Sequence, residues 1–164
     1  MKNESSRRRF LQKSGAIGAI LATATPPAVF ADGSPGDRLV VGVIGLQRGK
    51  SHVNTYLGLK NVEVGYVCEV DERRLATSAK MVEDRQKTRK VKGVDDMRRI
   101  FEDKDVNMVS IATPNFWHAP AAIMAIKAGK HVYVEKPGSH NAWEAQTLME
   151  AATKYKRQVQ MGVQ

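Results

Sequence analysis

Leu39-Val40-Val41-Gly42-Val43-Ile44-Gly45-Leu46-Gln47-Arg48-Gly49-Lys50-Ser51-His52 decides the fold. Mostly β-branched apolar residues run into a glycine-bearing turn, and a stretch compatible with a helix follows. An unbroken apolar run marks a strand buried on both faces, which happens in parallel sheets whose faces are covered by helices. At the end of such a strand the backbone amides and the N-terminus of the next helix can face an anion. The usual phosphate-binding pattern is G-x-G-x-x-G, the second glycine giving a pyrophosphate close access to the backbone. Here Gln47 stands at the second glycine's place and Gly49 comes one residue early. An acidic residue is expected about 20 residues on, at the tip of the second strand, to hold ribose hydroxyls. The next strand-like run, Val62 to Cys68, ends in Glu69-Val70-Asp71. Together the loop and the acidic residue point to a dinucleotide-binding βα unit.

Outward from that unit the alternation repeats. Helices are expected over Ser51–Leu59, Glu72 to about Arg89 with Asp71 as cap, and Asp95–Phe101. A short third strand falls near Val91, and Val106–Ala112 reads as the fourth, ended by Thr113-Pro114-Asn115. Pro120 suits the first turn of the next helix and Gly129 its end. His131–Val134 is a fifth strand running into Glu135-Lys136-Pro137. Asn141 with Glu144 three residues on resembles a capping box opening a helix through Lys154, and Val159–Gly162 begins a sixth strand. Strands and helices alternating in this way imply an α/β fold, a right-handed, doubly wound parallel sheet of the Rossmann type over 39–164.

The N-terminus reads as an address. Ser6-Arg7-Arg8-Arg9-Phe10-Leu11 matches a twin-arginine export signal, an apolar segment follows from Gly15 to Ala22, and Val29-Phe30-Ala31 suits cleavage before Asp32. The apolar run is too short and glycine-rich to span a bilayer. Residues 1–31 are therefore expected to be a leader, 32–38 a linker, and the mature protein periplasmic. The whole chain has 26 basic and 17 acidic residues, a net charge of +9. The leader's five basic residues against Glu4 account for +4 of this and leave +5 for the remainder. The densest basic patch, Arg85 to Lys92, has no interleaved aromatic residue and is expected to close a helix, where cations suit the dipole. A solvated helix end explains it better than a nucleic-acid interface. The single cysteine, Cys68, excludes an intrachain disulfide and a cysteine-built zinc site, and no metal ligand set is read from the chain.

Glu135-Lys136-Pro137, with Thr113-Pro114-Asn115-Phe116-Trp117-His118 and Met161-Gly162-Val163-Gln164, resembles the Gfo/Idh/MocA family of glucose–fructose oxidoreductase and inositol dehydrogenase. The resemblance covers Leu39 to Gln164. It implies an N-terminal Rossmann domain that binds NAD or NADP, followed by a substrate domain that this chain does not contain. Carried over by position, Gly45, Leu46, Gln47 and Gly49 would shape the pyrophosphate loop and Glu69 would meet the adenosine ribose. Thr113, Pro114 and Asn115 would line the nicotinamide ribose, and Glu135 would reach the cofactor's reactive end. Lys136, Glu135 and His118 are the catalytic candidates, with Lys136 beside the substrate hydroxyl. Phe116 stands where the family often has histidine. The implied activity is hydride transfer between nicotinamide and a carbohydrate or polyol hydroxyl. Some relatives instead cleave glycosidic bonds through transient oxidation, and a non-catalytic dinucleotide-binding fragment is the third reading. An open sheet edge at Val159–Val163 leads us to expect self-association or a homo-oligomer.

Overall fold

The structure, a computed structural model, describes residues 38–163. The expected leader, and the linker apart from Arg38, lie outside the described residues, as does Gln164. Six strands form one sheet in the order β3-β2-β1-β4-β5-β6. They are β1 Leu39–Ile44, β2 Val62–Cys68, β3 Lys92–Val94, β4 Met108–Ile111, β5 His131–Val134 and β6 Val159–Met161. Every pairing is parallel. The helices are α1 Gly49–Tyr56, α2 Glu72–Arg85, α3 Arg98–Glu102, α4 His118–Lys127 and α5 Ala142–Tyr155.

The central strand shows why the sheet is wound on both sides. Val41 and Val43 pack with Val53 of α1 and Val82 of α2. Val40 and Ile44 pack in a second core with Ile100 of α3, Ala122 and Ile126 of α4, and Leu148 of α5. Successive side chains of a strand point to opposite faces, so an unbroken apolar run supplies two cores at once. Strand order reverses between β1 and β4, and the crevice beyond their carboxyl ends is where ligands bind in such sheets.

Several boundaries differ from the sequence reading, each for a local reason. α1 begins at Gly49, not Ser51, because the Gly49 N–H already bonds to Gly45 O at 3.1 Å; it ends at Tyr56 rather than Leu59. α2 stops at Arg85, because Gln86 turns away to satisfy β2. Its Oε1 accepts from Val64 N at 2.8 Å and its Nε2 donates to Val64 O at 3.1 Å. β3 pairs only with Tyr66 to Cys68, so the Gln86 amide stands in for strand beside Val64. The basic patch therefore does not close the helix. Arg85 alone lies in its last turn, Arg89 pairs with Glu63 at 3.1 Å and Lys92 with Asp103 at 3.1 Å. α3 is shorter than expected, because the Asp96 carboxylate takes Arg98 N at 2.9 Å just before it begins. β4 is also shorter, since Asn107 turns its side-chain oxygen to Val40 N at 2.8 Å. α5 opens as the Asn141/Glu144 spacing predicts: Asn141 Oδ1 accepts from Glu144 N at 2.9 Å, and Glu144 takes His140 N at 2.7 Å.

Candidate dinucleotide-binding site

The loops after β1 and β4 meet at the reversal point. Gly45 has φ of +83°, and a Cβ there would lie 2.6 Å from Ala112 O, so the turn admits glycine alone. A Cβ on Gly49 would come within 3.0 Å of Val43 Cγ1, so that glycine sets how closely α1 approaches β1. Leu46 is 2 % exposed and packs in the core, which leaves only its backbone for the loop. That N–H donates to Glu69 Oε2 at 2.8 Å, while Glu69 Oε1 accepts from Val70 N at 2.8 Å and from Asp71 N at 3.3 Å. Glu69 thus ties the glycine loop to the tip of β2. No side chain caps the N-terminus of α1.

A cleft with two lobes opens over these loops. The larger, about 750 Å³, is lined by Gly45, Gln47, Glu69, Pro114, Phe116 and Trp117, with Arg74 and Asp95 beside Glu69 in the lining. The smaller, about 440 Å³, is lined by Asn115, His118, Glu135 and Lys136. Arg48, Ala112 and Thr113 line both. Thr113 Oγ1 is buried there without a hydrogen-bond partner.

The end of β5 carries a buried polar network that the sequence reading missed. Glu135 is 6 % exposed. Its Oε1 accepts from Arg48 Nε at 3.2 Å and meets His52 Nε2 at 2.9 Å, and its Oε2 accepts from Lys136 N at 3.3 Å. The other His52 nitrogen, Nδ1, lies 2.9 Å from the fully buried Ser110 Oγ, and Tyr133 packs edge-on against the imidazole at 5.4 Å. An ionised carboxylate only accepts, so the shared proton belongs to His52 Nε2. Burial by itself raises the Glu135 pKa, but hydrogen bonds from His52, Arg48 and the Lys136 amide outweigh it and hold the carboxyl below its ordinary value.

His118 is 1 % exposed and braces the site from below. Its Nδ1 lies 2.6 Å from Pro137 O and its Nε2 2.8 Å from Thr113 O, linking the loops after β4 and β5. No side chain caps α4, which begins at His118 itself. Lys136 is exposed at the rim of the smaller lobe, next to the cis Lys136–Pro137 bond. The structure therefore gathers Gly45, Gln47, Glu69, Thr113, Pro114, Asn115, His118, Glu135 and Lys136 around one cleft, with Gly49 and Leu46 packed behind its floor. Arg48 joins them in the lining, and His52 and Ser110 support Glu135 from behind. Among the described residues no group of three or more His, Cys, Asp or Glu is placed to hold a metal ion. No described helix is long and apolar enough to cross a membrane.

The arrangement fits a dinucleotide. The Gly45 turn packs directly on the backbone of Ala112 and Thr113 and so brings the loops after β1 and β4 together. An uncapped helix end favours phosphate, and an unpartnered Thr113 hydroxyl lines both lobes. Fold and site together define a Rossmann-type NAD-binding domain. Residues 39–163 match the model of the oxidoreductase family with NAD-binding Rossmann fold, and the chain belongs to that Gfo/Idh/MocA family. It is 30 % identical to a glycosyl hydrolase family 109 protein of Saccharopolyspora erythraea, over 94 % of this chain and 38 % of the relative. It is 29 % identical to an alpha-N-acetylgalactosaminidase of Shewanella oneidensis, with the same coverage of each. Among solved structures it is similar to GenD2 from gentamicin A biosynthesis in complex with NAD, with a TM-score of 0.69 and 28 % identity, covering 76 % of this chain and 34 % of that one. The chain spans about 38 % of the length of the curated relatives it matches.

Proposed function

We propose that this chain is the cofactor-binding part of an exported enzyme that removes two electrons from a carbohydrate or polyol carbinol, using NAD, with NADP as the lesser substitute. One observation carries the reading. Lys136, an exposed cation at the rim of the smaller lobe, follows directly on a carboxylate fixed beneath it. Bound NAD supplies the two-electron acceptor. Lys136 sits where an ammonium lowers the pKa of a carbinol O–H and stabilises the developing alkoxide. Glu135 acts beneath it, held ionised by His52 and Arg48. His118 fixes the Pro137 carbonyl and so the backbone that aims Lys136.

The test begins with the chain itself. Denaturation should release bound dinucleotide, or NAD titration should give a saturable isotherm, and failure of both sinks the reading. Sugars and polyols are then supplied to the chain joined to a family substrate domain, and the reduced-nicotinamide absorbance is followed. The names of the two curated relatives favour a second reading, in which the same electrons are returned and a glycosidic bond is cleaved. An aryl N-acetylgalactosaminide cut without net reduction of NAD would select it. Export is tested separately. Replacing Arg7 and Arg8 by lysine keeps the charge but loses the guanidinium, so uncleaved precursor should accumulate in the cytoplasm. Unchanged delivery to the periplasm would place the leader on the general secretory route. We also propose self-association along β6, which pairs only with β5 among the described strands; light scattering from a monodisperse monomer would exclude it.

A further inference from the structure

The glycine loop departs from its usual pattern where pyrophosphate normally approaches backbone, and a cation stands beside the departure. We propose that Arg48 is the pyrophosphate-binding residue of this site, aimed from beneath by Glu135; the inference rests on the dinucleotide reading above.

Place is the first argument. A ligand with one nucleoside in each lobe must lay its two phosphates across the part the lobes share. Arg48, Ala112 and Thr113 line that part, and of the three only Arg48 carries charge. Its side chain is 52 % exposed, so it reaches the cleft while its Nε bonds Glu135.

Backbone geometry is the second. Two amides of the turn are already committed inside the protein, Gly45 N to Cys68 O at 2.9 Å and Leu46 N to Glu69 Oε2 at 2.8 Å. Gln47 adds a side chain where a second glycine would open the backbone. A guanidinium supplies charge-assisted donors in a planar fork suited to phosphate oxygens.

Electrostatics is the third. Glu135 ends β5 with a buried negative charge beside the shared part of the cleft, and by itself it would repel a diphosphate. With Arg48 across it, the carboxylate fixes one edge of the guanidinium instead. His52, itself held by Ser110, holds that carboxylate in turn. The chain Ser110–His52–Glu135–Arg48 joins β4, α1, β5 and the glycine loop in one positioning device.

The experiment uses the full chain, with NAD, ADP as the smaller pyrophosphate probe, and adenosine as the probe without phosphate. Arg48→Met should weaken NAD and ADP by about tenfold or more, the size of a charge-assisted hydrogen bond, and leave adenosine unchanged. Its affinity should also fall less with added salt than the parent's. Arg48→Lys should recover only part of the loss, because an ammonium cannot fork. Melting curves and circular dichroism establish that each variant is folded. Glu135→Ala should weaken ADP several-fold in the parent and should not weaken it in Arg48→Met, where only a repelling carboxylate is left to remove. Unchanged ADP and NAD affinity in Arg48→Met, or an equal loss of adenosine, overturns the role of Arg48. Equal weakening by Glu135→Ala in both backgrounds overturns the aiming. A parent protein that binds neither NAD nor ADP would instead remove the dinucleotide reading itself.

Discussion

Two carboxylates, Glu69 after β2 and Glu135 after β5, grip the same glycine loop from opposite sides of β1. Glu69 takes backbone: it accepts Leu46 N from the loop and two amides of its own turn, and it remains partly exposed in the larger lobe. Glu135 takes two side chains, Arg48 and His52, beside the Lys136 amide, and is buried below the smaller lobe. Amide donors are neutral and fixed by the fold, so they leave a carboxylate's charge facing the cleft. A guanidinium compensates charge, so Glu135 can be buried and still ionised. On the proposed reading, the Glu69 side would serve hydrogen-bond selection of the adenosine ribose, and the β5 side would hold cations for the chemistry.

Lys136 tests that division most severely. Lys136→Met keeps the stem's packing and removes the ammonium. If the β5 side carries the chemistry, turnover in the chain joined to a substrate domain should fall about a hundredfold, ~2.7 kcal/mol in the barrier, with NAD affinity little changed. A lysine that only supports structure would lower the melting temperature and leave turnover per folded molecule intact. Steady-state kinetics at saturating NAD separates the two, and a parent rate removes Lys136 from the mechanism.

The next effect is on stability, and its sign follows from Glu135. Its folded pKa lies below the ordinary value of 4.5, with burial opposed and outweighed by hydrogen bonds from His52, Arg48 and the Lys136 amide. A depressed carboxylate stabilises the fold above its unfolded pKa, and that stabilisation is lost as pH falls through the folded value. Glu135→Gln should therefore cost about 1–3 kcal/mol near neutrality, and the gap from the parent should narrow as pH falls through and below the ordinary carboxylate range. Glu63, Asp96 and Asp103 are depressed too, so the informative quantity is the difference between the two melting curves. A gap that stays constant down to acid would show that Glu135 acts by shape alone.

The two carboxylates also differ in how far the sequence reveals them. Glu69 was legible because a Rossmann unit spaces its acidic residue at a nearly fixed distance from the glycine turn, and the alternating apolar runs announced all six strands of the sheet. Glu135 was legible as a motif residue, but its partners were not. Arg48, His52 and Ser110 reach it or one another across 87, 83 and 58 residues, separations at which no local pattern speaks. A signal existed for His52 only in hindsight, a polar residue beside Val53 on the face of α1 that turns inward. Gln86 was hidden for a similar reason. Its helix-ending turn answers the shortness of β3, which the residues of α2 do not encode.

The smallest expected effect lies on the Glu69 side and would sharpen the contrast most finely. A carboxylate at the tip of β2 accepts hydrogen bonds from ribose hydroxyls and repels a 2′-phosphate, so NAD should bind more tightly than NADP. Asp95 lines the same lobe and adds to the repulsion, while Arg74 lines it with the opposite sign and pairs only loosely with Asp71 at 3.9 Å. The preference should therefore be moderate, on the order of tenfold, ~1.4 kcal/mol. Glu69→Gln removes the charge and keeps one oxygen to accept from Leu46 N, while the exposed Val70 and Asp71 amides lose their acceptor to solvent, so the loop after β1 should hold its shape. NAD affinity should fall by only a few-fold, NADP affinity should rise, and melting temperature should move less than for Glu135→Gln. Titrating both cofactors into both proteins decides the matter. A parent that binds NADP as tightly as NAD would give Arg74 the deciding charge in that lobe. A Glu69→Gln protein that loses as much stability as Glu135→Gln would mean that the full carboxylate of Glu69, and not the Leu46 hydrogen bond alone, holds the loop after β1 to the tip of β2.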